Sequence, residues 1–310
     1  FSTDPGGSAA NRAWDIQPIV SVQDSYGNDV TSGSTIPVSL AIKSGTGISG
    51  ASLSGVTTVL TANGVATFSN LKIDKAGTGY TLTASSGSLS SAVSSTFDVS
   101  AAAASKLVIT SEPSTTAAGE AFSAQPVAQI QDAYGNVITS SSASVTASIT
   151  ANTGAAGSTL SGSTSVSAFD GVATFSGLSI DKAGSGYTLT LSSSDLTSAV
   201  TSEFSILSSS ASALAFSVQP TGGTAGDTSA LSTTVVITDS LGNVVTNASA
   251  DITVAITSGT GDSSGELLGA ATVTAEKGIA TFSALRIEKA ASGYTLTATA
   301  SLLTSDVSSS

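Results

Sequence analysis

Three short segments carry the side chains with the clearest chemical potential in this chain: DSYGN at 24–28, DAYGN at 132–136 and DSLGN at 239–243. An Asp and an Asn four residues apart offer oxygen ligands only, the type that calcium takes. The alternative is that each Asp accepts from the backbone of its own turn and caps it. A calcium cage normally draws on more carboxylates than one such loop supplies. A second recurring pair, Asp74 with Lys75 and Asp181 with Lys182, would have to reach these loops from elsewhere in the fold. Composition excludes other chemistry. His, Cys and Met are absent, which removes thiol nucleophiles, Ser-His-Asp triads, and zinc, haem or iron–sulfur ligation by the usual side chains. Two carboxylates alone can hydrolyse a glycosidic bond. The Asp positions that recur here sit in turns of every copy, however, and an enzyme seldom needs the same residues three times over. The chain is read as non-catalytic.

A longer repeat explains the recurrence. NGVATFSNLKIDKAGTGYTLTA at 63–84 returns as DGVATFSGLSIDKAGSGYTLTL at 170–191 and KGIATFSALRIEKAASGYTLTA at 277–298, a spacing of 107 residues at each step. Between it and the DxxGN segment lies a run whose apolar residues also superpose. These are Val38, Leu40 and Ile42, then Val145, Ala147 and Ile149, then Ile252, Val254 and Ile256. Such a period is too long for a solenoid and matches a whole small domain. Three tandem domains are expected, at 1–100, 101–208 and 209–310.

Within a copy, apolar residues alternate with period two, the pattern of half-buried strands, and no helical periodicity stands out. In the second copy strands are expected near 105–111, 124–131, 143–150, 158–168, 172–180, 186–192 and 197–206. Seven short strands per copy, with turn signals between them, predict an all-β chain of immunoglobulin-like sandwiches. Asn63-Gly64 and Asp170-Gly171 supply the positive φ of tight hairpins, and Gly27-Asn28 and Gly135-Asn136 do similar work after an Asp. Ala173 and Phe175 share a face, yet Leu178 and Ile180 fall one residue out of phase, so a bulge or bend must interrupt that strand. The same slip separates Ala66 and Phe68 from Leu71 and Ile73, and Ala280 and Phe282 from Leu285 and Ile287. Tyr80, Tyr187 and Tyr294 then stand two residues before Leu82, Leu189 and Leu296. This is the spacing of a tyrosine corner, with Leu where an antibody domain has its second Cys.

Sandwich topology relates the two recurring pairs. The loop between the second and third strands lies where the chain enters a domain, and the DKA loop lies where it leaves. Asp74 and Lys75 should therefore meet Asp132 and Asn136 of the next copy, and Asp181 and Lys182 should meet Asp239 and Asn243. The ends of the sequence add an expectation. Leu107-Val108-Ile109 and Leu214-Ala215-Phe216 begin the second and third copies, whereas Phe1 aligns with Ile109. Ser310 stops just before the position of Phe97 and Phe204. The first strand of copy one is thus truncated and the last strand of copy three is missing. Either a longer array has been cut, or a neighbouring molecule donates the strand.

VQDSYGN (22–28) with NGVATF (63–68), IQDAYGN (130–136) with DGVATF (170–175), and ITDSLGN (237–243) with KGIATF (277–282) resemble bacterial immunoglobulin-like repeats of the invasin/intimin type (group 1). The resemblance spans all three copies. It implies tandem stalks of surface adhesins, or of related cell-wall and surface-layer proteins, and hence an extracellular location on the cell surface. Nothing in the chain matches a receptor-binding tip.

The remaining composition narrows the partners. Net charge is −12 and the nine cations are scattered, which argues against nucleic acid and against anionic membranes. No run of about 18 apolar residues exists to span a bilayer, and no signal peptide pattern is present. Ser (62) and Thr (43) make up a third of the chain, so outward hydroxyls carry O-linked glycans or simply keep a sparsely charged fibre hydrated. The Asn247-Ala248-Ser249 sequon is expected by chance in such a chain. The single Trp, Trp14, fits core packing or a domain contact. Linkers near Ser100–Ser105 and Ser208–Ser212 are short, so consecutive domains should touch. At about 35–40 Å per domain the rod would be on the order of 100–130 Å long. The expected function is a semi-rigid structural module whose partners are its own neighbouring repeats. The alternatives are a module binding glycans or another surface, and a filament subunit joined to other copies of itself by donated strands.

Overall fold

In Val127–Asp132 the period-two alternation puts Ala128, Ile130 and Asp132 on the inner face, and the same alternation marks Pro37–Ile42, Ser144–Ile149 and Asp251–Ile256. The computed structural model describes residues 1–31, 35–226 and 231–310. Their regular structure is entirely β; they contain no helix, and so none long and apolar enough to cross a membrane.

The second repeat shows the plan. Ala104–Ser111, Val127–Asp132 and Val172–Thr174 form one antiparallel sheet. The facing sheet runs Ser165–Ser167, Ser144–Ile149, Leu189–Ser192, Ala199–Val200. Ala128, Ile130 and Phe175 from the first sheet meet Val145, Ala147, Leu189 and Leu191 from the second in one buried cluster. Two further clusters, around Phe68 and Phe282, repeat the arrangement in the first and third copies. Each of these phenylalanines is about 1% exposed, a burial worth roughly 2–3 kcal/mol apiece. The chain is a set of immunoglobulin-like β-sandwiches, each with its own apolar interior.

Four of the strands expected in the second copy are divided. The run 186–192 splits into Gly184–Tyr187 and Leu189–Ser192, and 197–206 splits into Ala199–Val200 and Phe204–Leu207. The second halves of the break lie in different sheets: Phe204–Leu207 sits between Gly184–Tyr187 and a short strand, Thr116–Ala117, which pairs with it in parallel. At the break, side chains replace the ladder. Leu189 N donates to Thr201 Oγ1 at 2.9 Å, and Ser202 N to Glu112 Oε2 at 3.1 Å. The first copy uses Ser94 and Asp4 at the same places, and the third Ser308 and Gln219. The run 158–168 divides at Gly162 (φ +96°) into Leu160–Ser161 and Ser165–Ser167.

The fourth division, in 172–180, falls at the phase slip, and its form depends on one residue. Asn70 and Gly177 adopt left-handed φ values of 56° and 66° and break the strand. Ala284 stands at the matching position of the third copy. Alanine disfavours that conformation, and Ile279–Ile287 runs through as one strand with a register shift instead. The hairpins before these strands close at Asn63-Gly64, Asp170-Gly171 and Lys277-Gly278, all with both residues at positive φ.

Candidate functional site

Asp132 ends an inward-facing register and is 0% exposed, so its charge has to be satisfied by donors. Its Oδ1 accepts from Tyr134 N at 2.9 Å and Asn136 N at 2.8 Å. Its Oδ2 accepts from Asn136 Nδ2 at 2.8 Å and from Ala102 N, in the linker, at 3.0 Å. Gly135, at φ +92°, makes the loop tight enough for this. The Asn136 side chain, fixed from behind by Asp132, faces the preceding repeat. There its Oδ1 accepts from Ala76 N at 2.9 Å and its Nδ2 donates to Asp74 O at 3.1 Å. One amide thus pairs with the main chain of the DKA loop as another peptide group would.

The second junction repeats each bond. Asn243 Oδ1 accepts from Ala183 N at 2.9 Å, Asn243 Nδ2 donates to Asp181 O at 2.9 Å, and Ser209 N, in the linker, donates to Asp239 Oδ2 at 2.9 Å. Leu241 N and Asn243 N both reach Asp239 Oδ1 at 2.9 Å. Burial pushes the Asp132 and Asp239 carboxyls up. The donated bonds outweigh it, chiefly those of Asn136 for Asp132 and those of Ser209 and Asn243 for Asp239, and hold both below the ordinary carboxylate value.

The first repeat separates loop from junction. Asp24 accepts from Tyr26 N, Asn28 N and Asn28 Nδ2 at 2.8, 2.9 and 3.0 Å, just as its counterparts do within their loops. Yet Asp24 and Asn28 are exposed and bond to no other repeat. The turn folds by itself, and the cross-repeat bonds are additional to it.

Calcium does not fit these residues. Each oxygen of Asp132 already accepts two hydrogen bonds. The Asp74 and Asp181 carboxylates turn back into their own repeats, where Oδ1 accepts from Ser52 N and Thr159 N at 2.7 Å in each case. Among the described residues no group of three or more acidic side chains could hold a metal. Lys75 and Lys182 take part through their main chain. Their carbonyls accept from the Tyr80 and Tyr187 hydroxyls at 2.9 and 2.8 Å, as Lys289 does from Tyr294 at 3.1 Å. The Lys75 ammonium reaches Ser49 O.

The tyrosines thereby brace the loop that the Asn amide grips. Tyr80 and Tyr187 are fully buried and Tyr294 is half-buried. Each ring lies on a glycine: a Cβ on Gly47, Gly154 or Gly261 would stand 2.1–2.2 Å from a ring carbon. These glycines, and the Thr before each, escaped the sequence reading, although Thr46-Gly47, Thr153-Gly154 and Thr260-Gly261 recur at the repeat spacing. Gln17 and Gln125 escaped it too. Gln125 Nε2 donates to Phe122 O at 2.8 Å, and its Oε1 accepts from Leu178 N at 3.0 Å, tying the phase slip to the start of the domain; Gln17 does the same with Trp14 and Leu71.

No protein-family model and no curated protein matches the chain. Solved structures similar to it include FdeC, described as a novel broadly conserved Escherichia coli adhesin eliciting protection against urinary tract infections. The match has 20% identity, covers 99% of this chain and 95% of that one, and has a TM-score of 0.43. Invasin, described as a bacterial integrin-binding protein, is 15% identical over 99% of this chain and 58% of its own, with a TM-score of 0.34. InvD of Yersinia pseudotuberculosis is 14% identical over 98% and 93%, with a TM-score of 0.36. At these scores the functional reading rests on the junctions rather than on the likenesses.

Proposed function

We propose that the chain is a non-catalytic, semi-rigid stalk segment of a bacterial or archaeal surface protein, whether adhesin, filament or surface layer. Its domains are the three repeats, and its partners are neighbouring repeats. The observation that carries this reading is that both junctions are made in the same way, by two cross-repeat bonds and one bond from the linker. Two pass through an Asn amide and one ties the linker to a buried Asp. The two cross-repeat bonds at about 1 kcal/mol each favour one orientation by roughly thirtyfold. That is enough to keep a rod aligned and little enough to yield under load. The Asn136 and Asn243 amides are both spent on holding the preceding repeat. Outward hydroxyls bond to one another, as in Ser39 with Thr58 at 2.9 Å and Thr253 with Thr272 at 2.8 Å, which supports a hydrated, sparsely charged exterior suited to the space outside a cell.

Small-angle scattering of the chain tests the reading. A stalk gives one sharply defined maximum dimension that does not change with concentration. Scattering that fits only a broad set of inter-repeat angles would reject it.

A further inference from the structure

The two junctions share their Asn and Asp bonds but differ in two further contacts. Ser209, whose N–H is held by Asp239, also donates its hydroxyl to Ala118 O of the second repeat at 2.9 Å. One linker residue thus ties both repeats at once. Ala102 stands at the same place in the first linker and donates only its N–H, to Asp132. The other contact is apolar. Leu241, in the DSLGN loop, lies over Gly119 of the second repeat: a Cβ on Gly119 would stand 2.8 Å from Leu241 Cδ1. Gly119 turns the chain at φ +80°, and Asn11 makes the matching turn of the first repeat at φ +61°. The two correspond in their bonds, since Gly119 N donates to Ile180 O and Asn11 N to Ile73 O, both at 2.8 Å. Asn11 carries the Cβ that Gly119 lacks, and the loop that follows it at the first junction has Tyr134 in place of Leu241, 56% exposed against 44%. Burial of the amides differs in the same sense: Asn243 is buried, whereas Asn136 is half-buried.

We propose that Ser209 and Leu241 are additional positioning residues of the second junction, so that the second and third repeats move as one stiff unit and the chain bends first at its first junction. This rests on the stalk reading and assigns where the stalk yields. One more hydrogen bond of ordinary net strength favours the aligned orientation about fivefold. A leucine methyl covered by the Gly119 turn adds apolar burial that bending would expose. Together the two contacts make the second junction harder to bend than the first by on the order of tenfold. The first junction keeps its Asn136 bonds and with them a preferred orientation. The chain is therefore graded in stiffness rather than jointed.

Spin labels read each junction separately, because the chain has no Cys and labels attach only where one is introduced. With labels on exposed positions of neighbouring repeats, the distance distribution across the second junction should be markedly narrower than that across the first. Ser209→Ala with Leu241→Ala should widen the second to the breadth of the first while each repeat still melts as before. The converse set, Asn11→Gly, Ala102→Ser and Tyr134→Leu, should narrow the first, a gain of order that damage to the fold cannot produce. Equal widths in the unaltered chain would overturn the proposal: narrow on both sides, they leave the stalk reading standing, and broad on both sides they remove that as well. A second junction that stays narrow after Ser209→Ala with Leu241→Ala, or a first that stays broad after the converse set, would overturn the assignment of these residues.

Discussion

Asn136 donates to the carbonyl of Asp74, a residue sixty-two positions earlier in another repeat, at 3.1 Å. The same amide is clamped by Asp132 and accepts from Ala76. Both hydrogen bonds between these repeats therefore pass through one side chain. Replacing it by Ala removes both bonds across the junction but leaves the fold of each sandwich intact. Asn136→Ala should widen the distribution of end-to-end distances, read by scattering or by spin labels in the first and second repeats, while each repeat melts within a few degrees of its original temperature. The junction should lose about 1–3 kcal/mol. Asn28→Ala should leave the distances unchanged, because Asn28 is exposed and touches no other repeat. If both substitutions behave alike, the amide does not hold the junction.

Acid should release both junctions. Asp132 and Asp239 have native pKa values below the ordinary 3.8. A depressed carboxyl contributes stability that is complete above its unfolded value and is lost as pH falls through the native one. The rod should thus be unchanged from neutrality down to about pH 4 and loosen below it. Asp132→Asn with Asp239→Asn should produce the loosened state at neutral pH and abolish the acid transition, since an amide oxygen cannot accept all the bonds donated to these carboxylates. A wild-type chain that stiffened on acidification would contradict the sign of the effect.

Much of this was legible because repeats report on one another. The Asn63-Gly64 and Asp170-Gly171 hairpins and the phase slip follow from short-range turn chemistry and period-two alternation, and the approach of Asp74 to Asn136 from sandwich topology. Less legible were features whose cause is a side chain far away in sequence. Thr201 and Glu112 divide a strand that alternation alone would continue, because they capture Leu189 N and Ser202 N. Thr116–Ala117 is too short to show a period. The direction of the Asp74 carboxylate was not legible either: it points at Ser52 N within its own repeat, and sequence spacing says nothing of that direction.

Lys277 holds a place that suits Asn. It sits at φ +51° in the hairpin where the other repeats have Asn63 at +50° and Asp170 at +48°. A long side chain pays for left-handed backbone with roughly 1 kcal/mol, and Asn tolerates it better. Lys277→Asn should stabilise the third repeat by about 0.5–1 kcal/mol and raise its melting temperature by roughly 2–6 °C. Asn63→Lys should do the reverse in the first. Calorimetry resolving the separate repeats would check both, and a lower melting point for Lys277→Asn would contradict the argument.

Trp14 and Phe122 occupy the same place in successive repeats. Trp14 meets Phe97 edge-on at 5.1 Å and 68°, and Phe122 meets Phe204 at 5.4 Å and 75°. The indole differs in carrying an N–H, and Trp14 Nε1 is buried with no partner among the described residues. An orphaned donor costs about 1–3 kcal/mol, whereas trimming the indole to a phenyl ring forfeits about 1 kcal/mol of burial. Trp14→Phe should accordingly be neutral or stabilising by up to about 2 kcal/mol, while Trp14→Ala, which empties the space beside Phe97, should cost about 3–5 kcal/mol. Denaturation followed by circular dichroism separates the two, since the only Trp is lost in both. A Trp14→Phe penalty above about 2 kcal/mol would mean that the ring's bulk, not its unpaired N–H, decides the energy of this corner of the core.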